Sequence, residues 1–225
     1  TGVQTCALPI SHHQFFIPIR NSAIVSGLTP IITIPIAALA AYALSRLRFK
    51  GRIPALSVVL AAAMFPQVTI AYTMERWLFS LGWINTFHGL VVPYVSLSLP
   101  LAIWILASFF KEIPGDIEDA ARIDGCRPLG TLFRIFLPVA APAIFTTAIL
   151  TFIYSWNEFF FASFIVDREQ FRTVPVAIVQ FQGRYTLPWG EVAAASVVAT
   201  LPLVVLVLAF QRRIVRGLTA GAVKE

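Results

Sequence analysis

Charge is what this sequence has least of. Only 12% of its 225 residues are Asp, Glu, Lys or Arg, against about 25% in soluble globular chains, which excludes an ordinary soluble domain. The two cysteines, Cys6 and Cys126, cannot form a disulfide framework. Histidine is almost missing: His12 and His13 adjoin near the start and His88 stands alone. That leaves no cluster with metal-ligand spacing and gives all three ordinary polar loop roles. No Gly-Lys pair occurs anywhere, so the chain lacks the phosphate-binding loop of P-loop ATPases and cannot by itself hydrolyse ATP in that manner. Neither an internal repeat nor a low-complexity linker divides it, and it reads as one domain of packed helices.

What the sequence has in quantity is apolar residues, 58% of the chain, gathered into uninterrupted blocks. Blocks of this length argue an all-α polytopic membrane protein. Five transmembrane helices are expected, at about 22–44, 53–74, 89–110, 143–166 and 192–210. The first, Ser22–Leu44, holds 23 residues without a charge, about 34 Å as a helix and enough to cross a bilayer. Pro30, Pro35, Pro66, Pro93 and Pro100 fall within the first three spans, where neighbouring groups can satisfy the carbonyls that a proline frees.

The few charges alternate between the connecting segments. A net charge of +6 would suit nucleic acid if it were gathered on one surface, but twelve of the 17 Lys and Arg lie in segment 45–52, in segment 111–138 and after residue 210. The positive-inside rule places those three segments in the cytoplasm. Cys126 then lies in a reducing compartment, where a free thiol is expected.

The polar island Asp116–Pro138, DIEDAARIDGCRPLGTLFRIFLP, reads as two short helices around a turn. Pro114 suits a first helical position, where its missing N–H has no partner to lose. Asp116, Glu118 and Asp119 complement the dipole of the first turn. Gly125 ends the helix, because glycine tolerates the left-handed conformation that follows a C-terminus. After Pro128, Leu129, Leu132, Phe133 and Phe136 line one face of a second helix. On the first helix, Ile117, Ala120 and Ala121 share a face at i, i+3 and i+4, and the two alanines would let a partner's groove approach closely.

Asp119-Ala120-Ala121, three residues, Gly125, nine residues, then Ile135-x-Leu137-Pro138 resembles the cytoplasmic coupling loop of ABC-importer permeases. That family's motif has Glu where Asp119 stands, a longer arm of the same charge. The resemblance implies a type I importer permease fold over 15–212, with coupling loop 111–138 and a cytoplasmic tail 213–225. It implies that Ile117, Asp119, Ala120, Ala121, Asp124, Gly125, Ile135, Leu137 and Pro138 receive an ABC ATPase. The partners so implied are a second permease, two ATPase subunits that bind ATP and Mg, an extracytoplasmic solute-binding protein and the lipid of a bacterial inner membrane; nucleic acid and a cofactor on this chain are not expected. Residues 1–14 lack an initiator Met, a basic region and an apolar run long enough for a signal peptide. They read as a truncated or foreign start. Five spans with the tail inside put that start outside, whereas such permeases normally begin inside, so a sixth, N-terminal span is expected ahead of it.

Two further stretches bear on function. Trp156-Asn157-Glu158 lies within the fourth span or near its outer end. An ionisable group at membrane depth costs about 2.5–3.5 kcal/mol on insertion scales, which favours a wet cavity, and an aromatic face beside amide and carboxylate suits a sugar. The same residues fit an interfacial aromatic with Glu158 opening the outer loop. In the outer segment Thr173–Gly190, Gln180, Gln182, Gly183 and Tyr185 are either a connector or, by the resemblance, the approach to the binding protein. These stretches and the ending Arg216–Lys224 are similar to the carbohydrate-uptake branch, that of the maltose transporter. A permease for glycerol phosphate or a polyamine is the alternative within the family. An intramembrane enzyme would need a buried nucleophile–base or metal pair, and no histidine lies in a span; a passive channel would have no use for the coupling loop.

Overall fold

Helix α1, Phe16–Arg46, is 31 residues long and carries Pro30 and Pro35 without ending. The computed structural model describes residues 16–47, 49–180 and 189–219, with the backbone alone for Glu191 and 212–219. Among the described residues every regular element is a helix. After α1 come α2 (Arg52–Ala63), α3 (Gln67–Ser80), α4 (Phe87–Glu112), α5 (Gly115–Ile123), α6 (Pro128–Val139), α7 (Ala141–Asn157), α8 (Phe160–Ile165), α9 (Val174–Gln180) and α10 (Trp189–Thr219).

By length and composition α1, α4 and Val192–Gln211 of α10 can each cross a membrane. The stretch expected as one second span is broken at Met64–Pro66 into α2 and α3, where Pro66 has no N–H to continue the ladder. The fourth, expected over 143–166, is interrupted at Glu158–Phe159 between α7 and α8, and α7 is itself bent by 80° from α6 across Ala140. Counting each broken pair as one span gives up to five. Helix α2 buries none of its side chains; apolar side chains left open in this way are as well solvated by lipid tails as by one another.

The chain forms two packed units. One comprises the described parts of 30–65, 95–151 and 211–225. Its core joins Ala37, Ala38, Ala41 and Tyr42 of α1 to Ala102, Leu106 and Phe110 of α4 and to Leu132 and Phe136 of α6. Alanines let the backbones approach, the usual device where lipid supplies no hydrophobic drive. Tyr42, Phe110 and Phe136 meet edge to face, with centroids 5.1–6.5 Å apart, the arrangement that ring quadrupoles favour. The Thr33 and Ser98 hydroxyls share a hydrogen bond of 3.1 Å between α1 and α4.

The other unit comprises the described parts of 1–29, 66–94 and 152–210. Trp156, Val174, Ala195 and Ala199 form its core cluster. Asn21 and Ser22 of α1 hold the segment before α9: the Asn21 amide donates to the carbonyls of Gln170 and Arg172, and the Ser22 hydroxyl accepts from the Val174 N–H. Asn85 adopts φ 59°, a left-handed conformation that asparagine tolerates better than most residues. Its Oδ1 accepts the N–H groups of Asp167 and Arg168, each at 2.8 Å, which fastens the turn before α4 to the one after α8.

Candidate functional site

Helix α5 is bounded by local chemistry on both sides. Pro114 is the N-cap, one position earlier than the sequence suggested, and Asp116 and Glu118 occupy the first turn. At the other end Gly125 takes φ 78°. The Gly125 N–H bonds to the Arg122 carbonyl and the Cys126 N–H to that of Ala121, at 3.0 and 2.9 Å. These two bonds satisfy carbonyls that a helix end leaves open, and they require the left-handed residue between them. A Cβ on Gly125 would meet no atom within 4 Å; conformation, not space, selects glycine here.

Helix α6 begins with Pro128 in its first turn and contains a π turn over Leu132–Phe136. Its cause lies just ahead. Pro138 has no N–H for the Arg134 carbonyl, and the ladder is already shifted, with the Leu137 N–H bonded to Leu132. Leu132 and Phe136 are buried, Ile135 and Leu137 half-buried, and Pro138 exposed.

The face expected on α5 is divided. Ile117 and Ala120 are exposed, but Ala121 is buried within its own chain, at 3% exposure. Sequence spacing put the three on one face; the hairpin covers one edge of it. The residue that spacing missed is Ile123, 86% exposed, whose signal was a large apolar side chain just ahead of the Gly125 stop. The open surface is thus Ile117, Ala120 and Ile123, bordered by the exposed Asp116, Asp119 and Asp124. Asp119 pairs with Arg122 across 3.4 Å; both ends of that pair are largely exposed, so it adds little to stability.

Trp156, Asn157 and Glu158 part company. Trp156 is 3% exposed, stacked on Phe152 with centroids 5.8 Å apart. The Glu158 carboxylate is buried and accepts the N–H groups of Phe161 and Ala162 at 2.8 and 3.2 Å, capping the start of α8. The Tyr94 and Tyr154 hydroxyls lie within its electrostatic reach, and Gln67 donates to Tyr154 at 3.3 Å. Only Asn157 is exposed; its amide donates to the Ile153 carbonyl at 2.8 Å. Gln180 is exposed at the end of α9, while Gln182, Gly183 and Tyr185 lie outside the described residues, as do Cys6, residues 1–14 and the tail beyond Thr219.

Among the described residues, span-length apolar helices and a polar hairpin hinged at a left-handed glycine mark a helical membrane protein. The chain belongs to the family described as binding-protein-dependent transport system inner membrane component, whose model matches residues 33–220. It is similar to the trehalose/maltose transport system permease protein MalG of Thermococcus litoralis, 48% identical over 223 residues that cover 99% of this chain and 80% of that one. It is also similar to the trehalose transport system permease protein SugB of Mycobacterium tuberculosis, 41% identical over 91% of this chain and 75% of the other. In fold it matches a chain of a bacterial ABC transporter involved in import of the acidic polysaccharide alginate, with a TM-score of 0.77 at 20% identity, covering 92% of this chain and 78% of that one.

Proposed function

We propose that this chain is the transmembrane permease subunit of an ATP-driven ABC importer and forms part of the path for a sugar or oligosaccharide. One observation carries the reading: a short helix between Pro114 and Gly125 exposes Ile117, Ala120 and Ile123 beside Asp116, Asp119 and Asp124, with Arg122 paired to Asp119 and Glu118. A complementary groove would be apolar at its floor and basic at its rim. The partners are two ABC ATPase subunits that bind ATP and Mg, a second permease, like or unlike this one, and an extracytoplasmic binding protein approached near Gln180. A solved alginate transporter bound to a pentasaccharide-loaded periplasmic protein supports this last partner by fold likeness. The setting is a bacterial inner membrane crossed several times. The relatives named for trehalose and maltose favour a neutral, hydroxyl-rich solute, for which Asn157 is the exposed polar group of its trio.

The test is reconstitution in lipid vesicles with an ABC ATPase, a second permease and a solute-binding protein from the same organism, supplied with labelled trehalose, maltose or a longer oligosaccharide. ATP-dependent uptake is expected. Failure of the chain to copurify with the ATPase, or hydrolysis indifferent to the binding protein, would overturn the reading.

A further inference from the structure

Beneath α5 lies a cluster of polar groups centred on Arg46, the last residue of α1. Its Nε donates to the Phe110 carbonyl at 2.9 Å, and one terminal nitrogen donates to the carbonyls of both Phe110 and Ile113. These belong to the last turn of α4 and the residue beyond it, where carbonyls have no helical N–H and a cation suits the dipole. The other terminal nitrogen stands 3.9 Å from the Glu118 carboxylate of α5. The guanidinium also lies over the ring of Phe136 in α6, 5.1 Å from its centroid. The second oxygen of Glu118 takes Arg122 at 2.7 Å. The side chains of Arg46 and Glu118 are only 12% and 10% exposed.

One guanidinium, carried by α1, thus reaches α4, α5 and α6, helices that the sequence connects only in series. A lysine has no planar fork to hold two carbonyls and a carboxylate while stacking on a ring. On the α4 side, α5 is tethered by Ile113 and Pro114 alone, and it has no covalent link to α1 in this region.

We propose that Arg46 is a positioning residue for energy coupling, locking α5 to the ends of α1 and α4 so that a partner displacing α5 moves both spans. The inference rests on α5 being the ATPase-docking element. The experiment uses the whole complex in lipid nanodiscs, with Arg46→Met, Arg46→Lys, Glu118→Gln and the double variant Arg46→Met/Glu118→Gln. Three quantities are read: ATPase copurification, basal ATP hydrolysis, and its stimulation by solute-loaded binding protein. Arg46→Met should copurify at the wild-type level with stimulation reduced about tenfold, within the usual range of intersite coupling. Arg46→Lys should recover part of it, Glu118→Gln should resemble Arg46→Met, and the double variant should be no worse than either. Wild-type stimulation in assembled Arg46→Met overturns the inference and leaves the permease reading standing. Parallel loss of assembly and stimulation in Arg46→Met, with Glu118→Gln fully coupled, overturns it too by making Arg46 a folding anchor. A wild-type chain that never binds the ATPase removes the functional reading and this inference with it.

Discussion

The indole N–H of Trp156 donates to the backbone carbonyl of Ala199, 3.2 Å away, so this tryptophan ties α7 to α10. A sugar platform needs an open ring face, and this ring is stacked on Phe152 and closed in by Val174 and Ala195. Trp156→Phe keeps most of the packing and removes one hydrogen bond, a loss of about 1 kcal/mol. Trp156→Ala leaves a cavity and should lose about 3–5 kcal/mol. Thermal unfolding in detergent should rank them so, with the KM for uptake unchanged in Trp156→Phe. A raised KM at unchanged stability would put the indole on the solute.

Gly125 offers a cleaner separation of conformation from space. Since a Cβ there meets nothing, the penalty of a side chain is that of φ 78° alone, about 1–2 kcal/mol for a β-branched residue. Asparagine enters this region more readily. Copurification with the ATPase should fall in the order glycine, asparagine, valine at position 125, while the amount of protein in the membrane stays constant. Equal recovery of all three would detach the hairpin angle from docking.

Ala121 and Ile123, two residues apart, should respond in opposite ways. Ile123 is 86% exposed and Ala121 3%. Ile123→Asp should leave the isolated chain within about 0.5 kcal/mol of wild type yet weaken ATPase association. Ala121→Trp forces a large side chain into a filled place and should destabilise the isolated chain by about 1–3 kcal/mol. Melting the variants without the ATPase distinguishes them; a lowered melting temperature in Ile123→Asp would mean its side chain packs within the chain.

Legibility followed the range of the cause. The α5–α6 hairpin was readable because Pro114, Gly125 and Pro128 act within a few residues, and both helices stand where that chemistry puts them. The apolar blocks were readable as helices for the same reason. Facing was not: a block apolar all round carries no periodicity to say which side is buried, so the closed position of Trp156 could not be read, and the divided face of α5 depends on its own chain covering Ala121, to which spacing along one helix is blind. Arg46 counts in sequence as one more inside charge. Its partner carbonyls lie 64 and 67 positions away, a pairing that only the packed helices create. Asn85, bonded 82 and 83 positions ahead, was hidden in the same way.

Asn157 and Glu158 adjoin, yet they should fail differently. The Glu158 carboxylate satisfies two buried N–H groups. Glu158→Ala strands both, at about 1–3 kcal/mol for each unsatisfied group, and should lower thermal stability and uptake together. Glu158→Gln keeps one acceptor oxygen and should lose about half as much while still transporting. Asn157→Leu removes an exposed amide whose bond is to its own helix, so stability should hold while the KM for a neutral, hydroxyl-rich solute rises severalfold. Melting curves paired with vesicle uptake decide among these. Folded Glu158→Gln without uptake would make the carboxylate a solute contact after all. Wild-type kinetics in Asn157→Leu would take the exposed amide off the path, leaving the trio with a structural role alone.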